Sequence, residues 1–306
     1  MAVVPSDQRA AERLESRKAL TLRLSVTGAW LTVGSVSLFG DLIHPALRPD
    51  SSAAHTTVIV AMWIGYAVVL AALLLAGARA LAIARIGVCA GASQLAAAAV
   101  STTAAAGWVA MLAGLFGVVV VLLPAYAQCQ LDAASYGDER RFLLRPPAVV
   151  LFALVVPLWV VSVAGLAVGP LLLAGSGWKA GIIGAAAGFP AAAFAAHVLH
   201  RLGRRWLVFV PNGLVVHDHL AVAEPLPLGR RSIASLGPAP ADTTATDLSA
   251  QALGMALEIR LVQPAKVAVV TGRGRSEQKS VDALLVSPSR PAAVLATAQR
   301  RGLKLE

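Results

Sequence analysis

Residues 24–40, 56–78, 86–131, 146–178 and 180–200 contain no Asp, Glu, Lys or Arg. A helix needs roughly 20 consecutive apolar residues to cross the hydrocarbon core of a bilayer. Only helices and closed barrels can cross, because every peptide group must find its partner within the protein. Most of these stretches are long enough for one crossing, and 86–131 is too long for a single one. Only 14% of the chain is charged and 57% is apolar, with a mean hydropathy of +0.72, whereas an ordinary soluble domain carries about 25% charged residues. The sequence therefore reads as an α-helical membrane bundle over its first two thirds.

Six spans are predicted, at about 24–44, 57–78, 86–104, 107–127, 147–173 and 179–200, forming a transmembrane domain over 24–200. The first is the most polar, and Pro45 marks its end. The long stretch divides at Ser101-Thr102-Thr103 and Gly107. Lys and Arg accumulate in cytoplasmic loops. Arg9, Arg13, Arg17, Lys18, Arg23, Arg79, Arg85, Arg140, Arg141, Arg145, Arg201, Arg204 and Arg205 fall on one side of this threading, and only Arg48 and Lys179 on the other. Six crossings put both termini in the cytoplasm and the protein in the plasma membrane as a multi-pass chain; reading 86–127 as one helix breaks the alternation. Residues 1–23 are expected to form a basic cytoplasmic arm. A helix over 6–19 capped by Ser6 is the alternative, but its apolar face holds only alanines and Leu14. No cleavable signal peptide is expected, since no short apolar core precedes a small-residue cleavage site.

Inside the spans the chemistry is sparse. Ionisable residues within a bilayer are costly and usually functional, and here the interior polar groups are Ser93, Gln94 and scattered hydroxyls. His197 and His200 lie one turn apart at the inner end of the last span, without further ligands for a metal. Cys89 and Cys129 read as packing residues. The tryptophans, with Trp108 and Trp178 near outer ends, and Tyr126 near the inner face, read as interfacial anchors. Gly177, Gly181, Gly184 and Gly188 recur at helical spacing and predict close helix packing, with Gly165 and Gly169 as a second patch; homo-oligomerisation through the stripe stays open. Pro157 and Pro190 are candidate kinks. No motif of a hydrolase, metalloprotease or nucleotide-binding loop occurs, so no catalytic residue, cofactor or metal is expected.

From Arg201 the pattern changes to short β-like runs, and residues 201–306 are expected to form a small cytoplasmic domain. Trp206–Val210 and Leu214–Leu220 flank Pro211-Asn212-Gly213, a hairpin signal because Asn and Gly tolerate positive φ. Further strands are expected at 230–236, 256–262, 265–271 and 281–287, a loop over 238–250, and a terminal helix over 289–301 with Ser289 as cap and Gly302 as stop. A small β-barrel or bent sandwich results, with the helix covering an open end. His217-Asp218-His219 reads as a strand-end polar cluster, since two imidazoles alone do not fix a metal.

The run WLVFVPNGLVVHDHL at 206–220, RRSIASLG at 230–237 and VDALLVSPSRPAAVLATA at 281–298 resemble bacterial pleckstrin-homology-like (PH-like) domains. With the spans before it, the chain is similar to a family of actinobacterial multi-pass integral membrane proteins carrying such a domain at the C-terminus. The sparse chemistry of the spans and the folded basic tail point to a non-enzymatic scaffold, adaptor or envelope-associated regulator whose cytoplasmic domain binds a protein or a lipid headgroup. Arg204, Arg205, Arg230 and Arg231 are the candidate contacts for anionic headgroups, each contributing about 1 kcal/mol near a negative leaflet. A transporter or permease component for a neutral or hydrophobic substrate is the alternative, and its mark would be a cavity near Ser93 and Gln94. Nucleic acid is not an expected partner, because the basicity follows the inside-positive loops and no basic stripe is interleaved with aromatics.

Overall fold

The computed structural model describes residues 6–39, 52–102, 104–175, 178–272 and 275–306. The chain divides into two compact units. One is helical, built from Ala10–Gln130 and Val156–Arg201; the other is β-rich and gathers Leu131–Val155 and Leu202–Glu306.

The helices that build most of the helical unit are α1 (Ser6–Phe39), α2 (Ser52–Leu74), α3 (Ala78–Thr102), α4 (Ala105–Leu122), the short α5 (Pro124–Asp132), α6 (Val156–Gly175) and α7 (Trp178–Leu202). Among the described residues four helical segments are long and apolar enough to cross a membrane: Ala78–Ser101, Ala105–Leu122, Ala148–Leu173 and Lys179–Leu202. The apolar stretch Val58–Leu74 is shorter. The helix of the second expected span, α2, ends at Leu74, ahead of the turn through Gly77, with φ of 122°, that leads into α3. The last part of the first expected span, 40–44, lies outside the described residues. The N-terminal arm departs from expectation: Ser6 onward is helical and continuous with the first apolar segment. The division of the long apolar stretch is present, between Thr102 and Ala105.

Glycines set the packing. A Cβ placed on Gly188 would come within 2.6 Å of the Gly165 carbonyl, and one on Gly169 within 2.7 Å of the Ala185 Cα, so α6 and α7 touch backbone to backbone. Gly181 and Gly184 continue this seam against Leu173 and Leu172, while Gly177 is not among the described residues. Without a hydrophobic drive between helices in lipid, such close approach is what holds them together. Pro157 is preceded by one wide turn, Leu151–Val155. The proline ring cannot tolerate the carbonyl four residues earlier in a regular helix, and a widened turn relieves that clash.

In the β-rich unit, β1 (Arg140–Leu143), β2 (Trp206–Val210), β3 (Gly213–His217) and β4 (Leu226–Gly229) form one antiparallel sheet in the order β1-β2-β3-β4. A second sheet has the order β5-β7-β8-β6, from β5 (Ile233–Pro238), β6 (Thr246–Asp247), β7 (Leu257–Gly272) and β8 (Arg275–Val286), with β6 parallel to β8. Helix α8 (Pro291–Arg300) closes the unit. The inward faces of both sheets and of α8 supply one core, with Phe142, Leu207, Phe209, Leu236, Ile259 and Val294 fully enclosed.

Several expectations shift here. The expected domain of 201–306 is joined by β1, a strand from the loop before the fifth span, paired with β2 from Arg140↔Phe209 to Leu143↔Trp206. The expected strand at 230–236 begins with a tight turn at Arg230–Ser232, and the two strands expected at 256–271 are one long strand with a register shift after Arg260. Ser289 is not the helix cap: its N–H bonds Leu143 O at 2.8 Å, and Arg290 holds the cap position without a side-chain bond. Gly302, at φ of 67°, ends α8 as expected. The hairpin turn also holds. Gly213 is needed there, since a Cβ would meet the Arg230 nitrogen at 3.0 Å.

Candidate functional site: an apolar cavity in the helical unit

A cavity of about 990 Å³ opens among α1, α2, α3, α6 and α7. That is at the upper end of the range in which small-molecule sites fall, roughly 300–1,000 Å³. One wall is aromatic. Trp30 stacks on Tyr66 with ring centroids 5.6 Å apart, and Trp63 meets the same ring edge-on at 5.4 Å. The Trp30 indole donates to Tyr66 O at 3.2 Å, which satisfies its one polar atom inside the bundle. The spacing of α1 and α2 allows this because Gly34 lies under the Tyr66 ring. Trp30, expected as an interfacial anchor, is instead 4% exposed and belongs to the cavity lining.

Polar groups on the lining are few. Gln94 is the central one, and its environment explains it. Pro170 in α6 has no N–H, so the carbonyl four residues earlier, on Leu166, loses its helical donor. Gln94 Nε2 supplies one from α3, at 3.2 Å. Where no water can enter, an unpaired carbonyl is expensive; the side chain that the sequence presents as a candidate ligand is a structural patch. Ser93 does not line the cavity. It faces away and bonds its own helix at Ala90 O, 2.7 Å. Arg79, His197 and His200 also line the cavity, as do Ser37 and Ser101.

Two basic residues counted toward topology have further uses. Arg23 donates to Leu74 O at 2.8 Å and Arg85 to Val121 O at 3.0 Å, each capping the C-terminal end of a neighbouring helix, where carbonyls lack intrahelical donors and the helix dipole favours a cation. Tyr126, expected as an anchor near the inner face, packs inside the protein. It is fully buried and its hydroxyl accepts from Gln130 Nε2 at 2.6 Å.

In the β-rich unit the four arginines expected to meet headgroups do not form one patch. Arg205 is buried, with Nε and Nη2 each 2.6 Å from the two Asp218 oxygens and Nη1 donating to Arg145 O at 3.1 Å. Arg204, Arg230 and Arg231 are exposed. Arg230 follows β4, beside the β2–β3 turn, where its N–H bonds Asn212 O at 2.7 Å, whereas Arg204 precedes the other end of β2. A five-residue strand separates them by about 16 Å. His217 stacks on Trp206 at 5.5 Å. Burial first, then the Arg204 and His219 charges, lower its pKa from the ordinary histidine value. Asp218 belongs to Arg205, so the His-Asp-His run is divided among structural duties. Among the described residues no three His, Cys, Asp or Glu side chains gather as a metal site.

No protein-family model matches the chain, and no curated protein or solved structure matches it.

Proposed function

We propose that this membrane protein holds a neutral or hydrophobic molecule, of lipid-like chemistry, in the cavity of its helical unit, as a binding or transport component and not as an enzyme. The cavity carries this reading: about 990 Å³ with an aromatic wall and a lining that is mostly aliphatic. Such a surface gains by enclosing apolar area, at about 25 cal/mol per Å², and offers few groups to orient a polar solute. Under a six-crossing threading, with α1 and α2 contributing the two further passes, Arg79, His197 and His200 mark the cytoplasmic rim and suit the polar end of an amphipathic molecule. Both termini are then cytoplasmic. The β-rich unit, with two sheets and a final helix, is in keeping with the PH-like resemblance and would serve as the docking module. A headgroup-binding role for its arginines has weaker support, since Arg205 is buried and the other three are split between the ends of β2.

Native mass spectrometry of the full protein released from nanodiscs, together with photo-crosslinking by a diazirine-bearing lipid, tests this. Ala97 and Ala193 both line the cavity. Retained lipid mass and crosslinks to α2 or α3 are expected for the natural chain, and their loss in the Ala97→Phe/Ala193→Phe variant. Crosslinking that is absent, or unchanged by filling the cavity, would defeat the proposal.

A further inference from the structure

The loop after β6 is held in a costly conformation and displays apolar side chains. Ala250 and Gln251 have φ of 48° and 59°, a left-handed region that non-glycine residues seldom occupy. Asp247 holds them there: its Oδ1 accepts from the Ser249 N–H at 2.7 Å and hydroxyl at 2.6 Å, and its Oδ2 from the Gln251 N–H at 3.2 Å. Gly254, at φ of 99°, packs on the Arg145 guanidinium, whose Nη1 donates to Leu253 O at 2.8 Å. The result is a fixed tip on which Leu253 and Met255 are 54% and 53% exposed. Strain kept at a defined place usually serves a purpose.

The position of this tip gives the purpose. Ala252 bridges Pro147 main chain to main chain, and Pro147 directly precedes the membrane segment Ala148–Leu173. All of these residues up to Val155 belong to the β-rich unit itself. A segment of 26 residues rises about 39 Å, against a hydrocarbon core of about 30 Å, which leaves length for its first turns to sit at headgroup level. Val149 and Phe152 on those turns are 77% and 64% exposed. The loop is therefore tied, through a backbone bridge and an arginine, to the residues that lead into the apolar segment Ala148–Leu173.

We propose that Leu253 and Met255 form a foot that dips into the interfacial layer of the leaflet where the Ala148–Leu173 span begins, fixing the β-rich unit against that surface. The occupant of this apolar tip is the lipid of the protein's own membrane. It is independent of the cavity reading.

The test uses the full chain in proteoliposomes with Cys89→Ala and Cys129→Ala, labelled with an environment-sensitive nitrobenzoxadiazole dye at Met255→Cys or, separately, at Leu253→Cys. Blue-shifted emission, quenched more strongly by lipids with a nitroxide near the acyl carbonyl than by aqueous iodide, is expected at both sites. Water-like emission with iodide quenching and no lipid quenching at both sites would overturn the proposal. Two labelled positions guard against one substitution disturbing the loop.

Discussion

Enclosing the Arg205 guanidinium and the Asp218 carboxylate strips two charges of water, a cost repaid only by paired geometry and the extra bonds to Arg145 O and from the Leu220 N–H. Removing one partner leaves the other charge buried alone. Asp218→Ala or Arg205→Ala should therefore destabilise the β-rich unit by about 3–5 kcal/mol, read as a lowered thermal transition of the purified protein. The Arg205→Met/Asp218→Leu double variant, with no charge to strand, should lose much less. In the sequence Arg205 is one more basic residue after a span; nothing local separates a topology signal from a buried ion pair. The partner lies 13 positions on, in a cluster whose histidines attract attention first.

At the scale of single elements, the bond from Gln94 to Leu166 couples two helices through a missing donor. Gln94→Leu should cost about 1–3 kcal/mol, the price of an orphaned buried carbonyl. In a Pro170→Ala background the helix regains its own N–H at residue 170, and the same Gln94→Leu change should cost distinctly less. A double-mutant cycle on unfolding in mixed micelles measures the difference; equal costs in both backgrounds would refute the coupling. Of the elements, those with strong local signals were legible. The Trp206–Val210 and Gly213–His217 hairpin announces itself through its turn, α8 through Pro291 and Gly302, and the α3–α4 break through its hydroxyl-rich corner. The strand β4, Leu-Pro-Leu-Gly, was not, since Pro227 reads as a breaker; the fold tolerates it because β4 is a sheet edge, where a lost N–H goes unmissed. Gln94 itself was visible as polar, but its use depends on a proline 76 positions away in sequence, beyond any periodicity.

Across the whole molecule, the least legible feature is β1. Arg-Arg-Phe-Leu is short, and its two arginines look like loop charges. Yet Phe142 is fully enclosed and meets Phe209 edge-on at 5.7 Å. A fragment limited to 201–306 would expose one side of β2 and leave a gap where Phe142 sits, so it should show weak, broad thermal unfolding. Joining residues 138–147 to its N-terminus through a flexible linker should restore a cooperative transition, and circular dichroism compares the two. Because the strand comes from the middle of the chain, its mates are synthesised only after two further apolar segments have left the ribosome. Until Trp206–Val210 has been made, β1 waits without its neighbour. Closure of this sheet therefore has to follow the synthesis of α6 and α7, and a chain stopped before Trp206 would keep β1 unpaired.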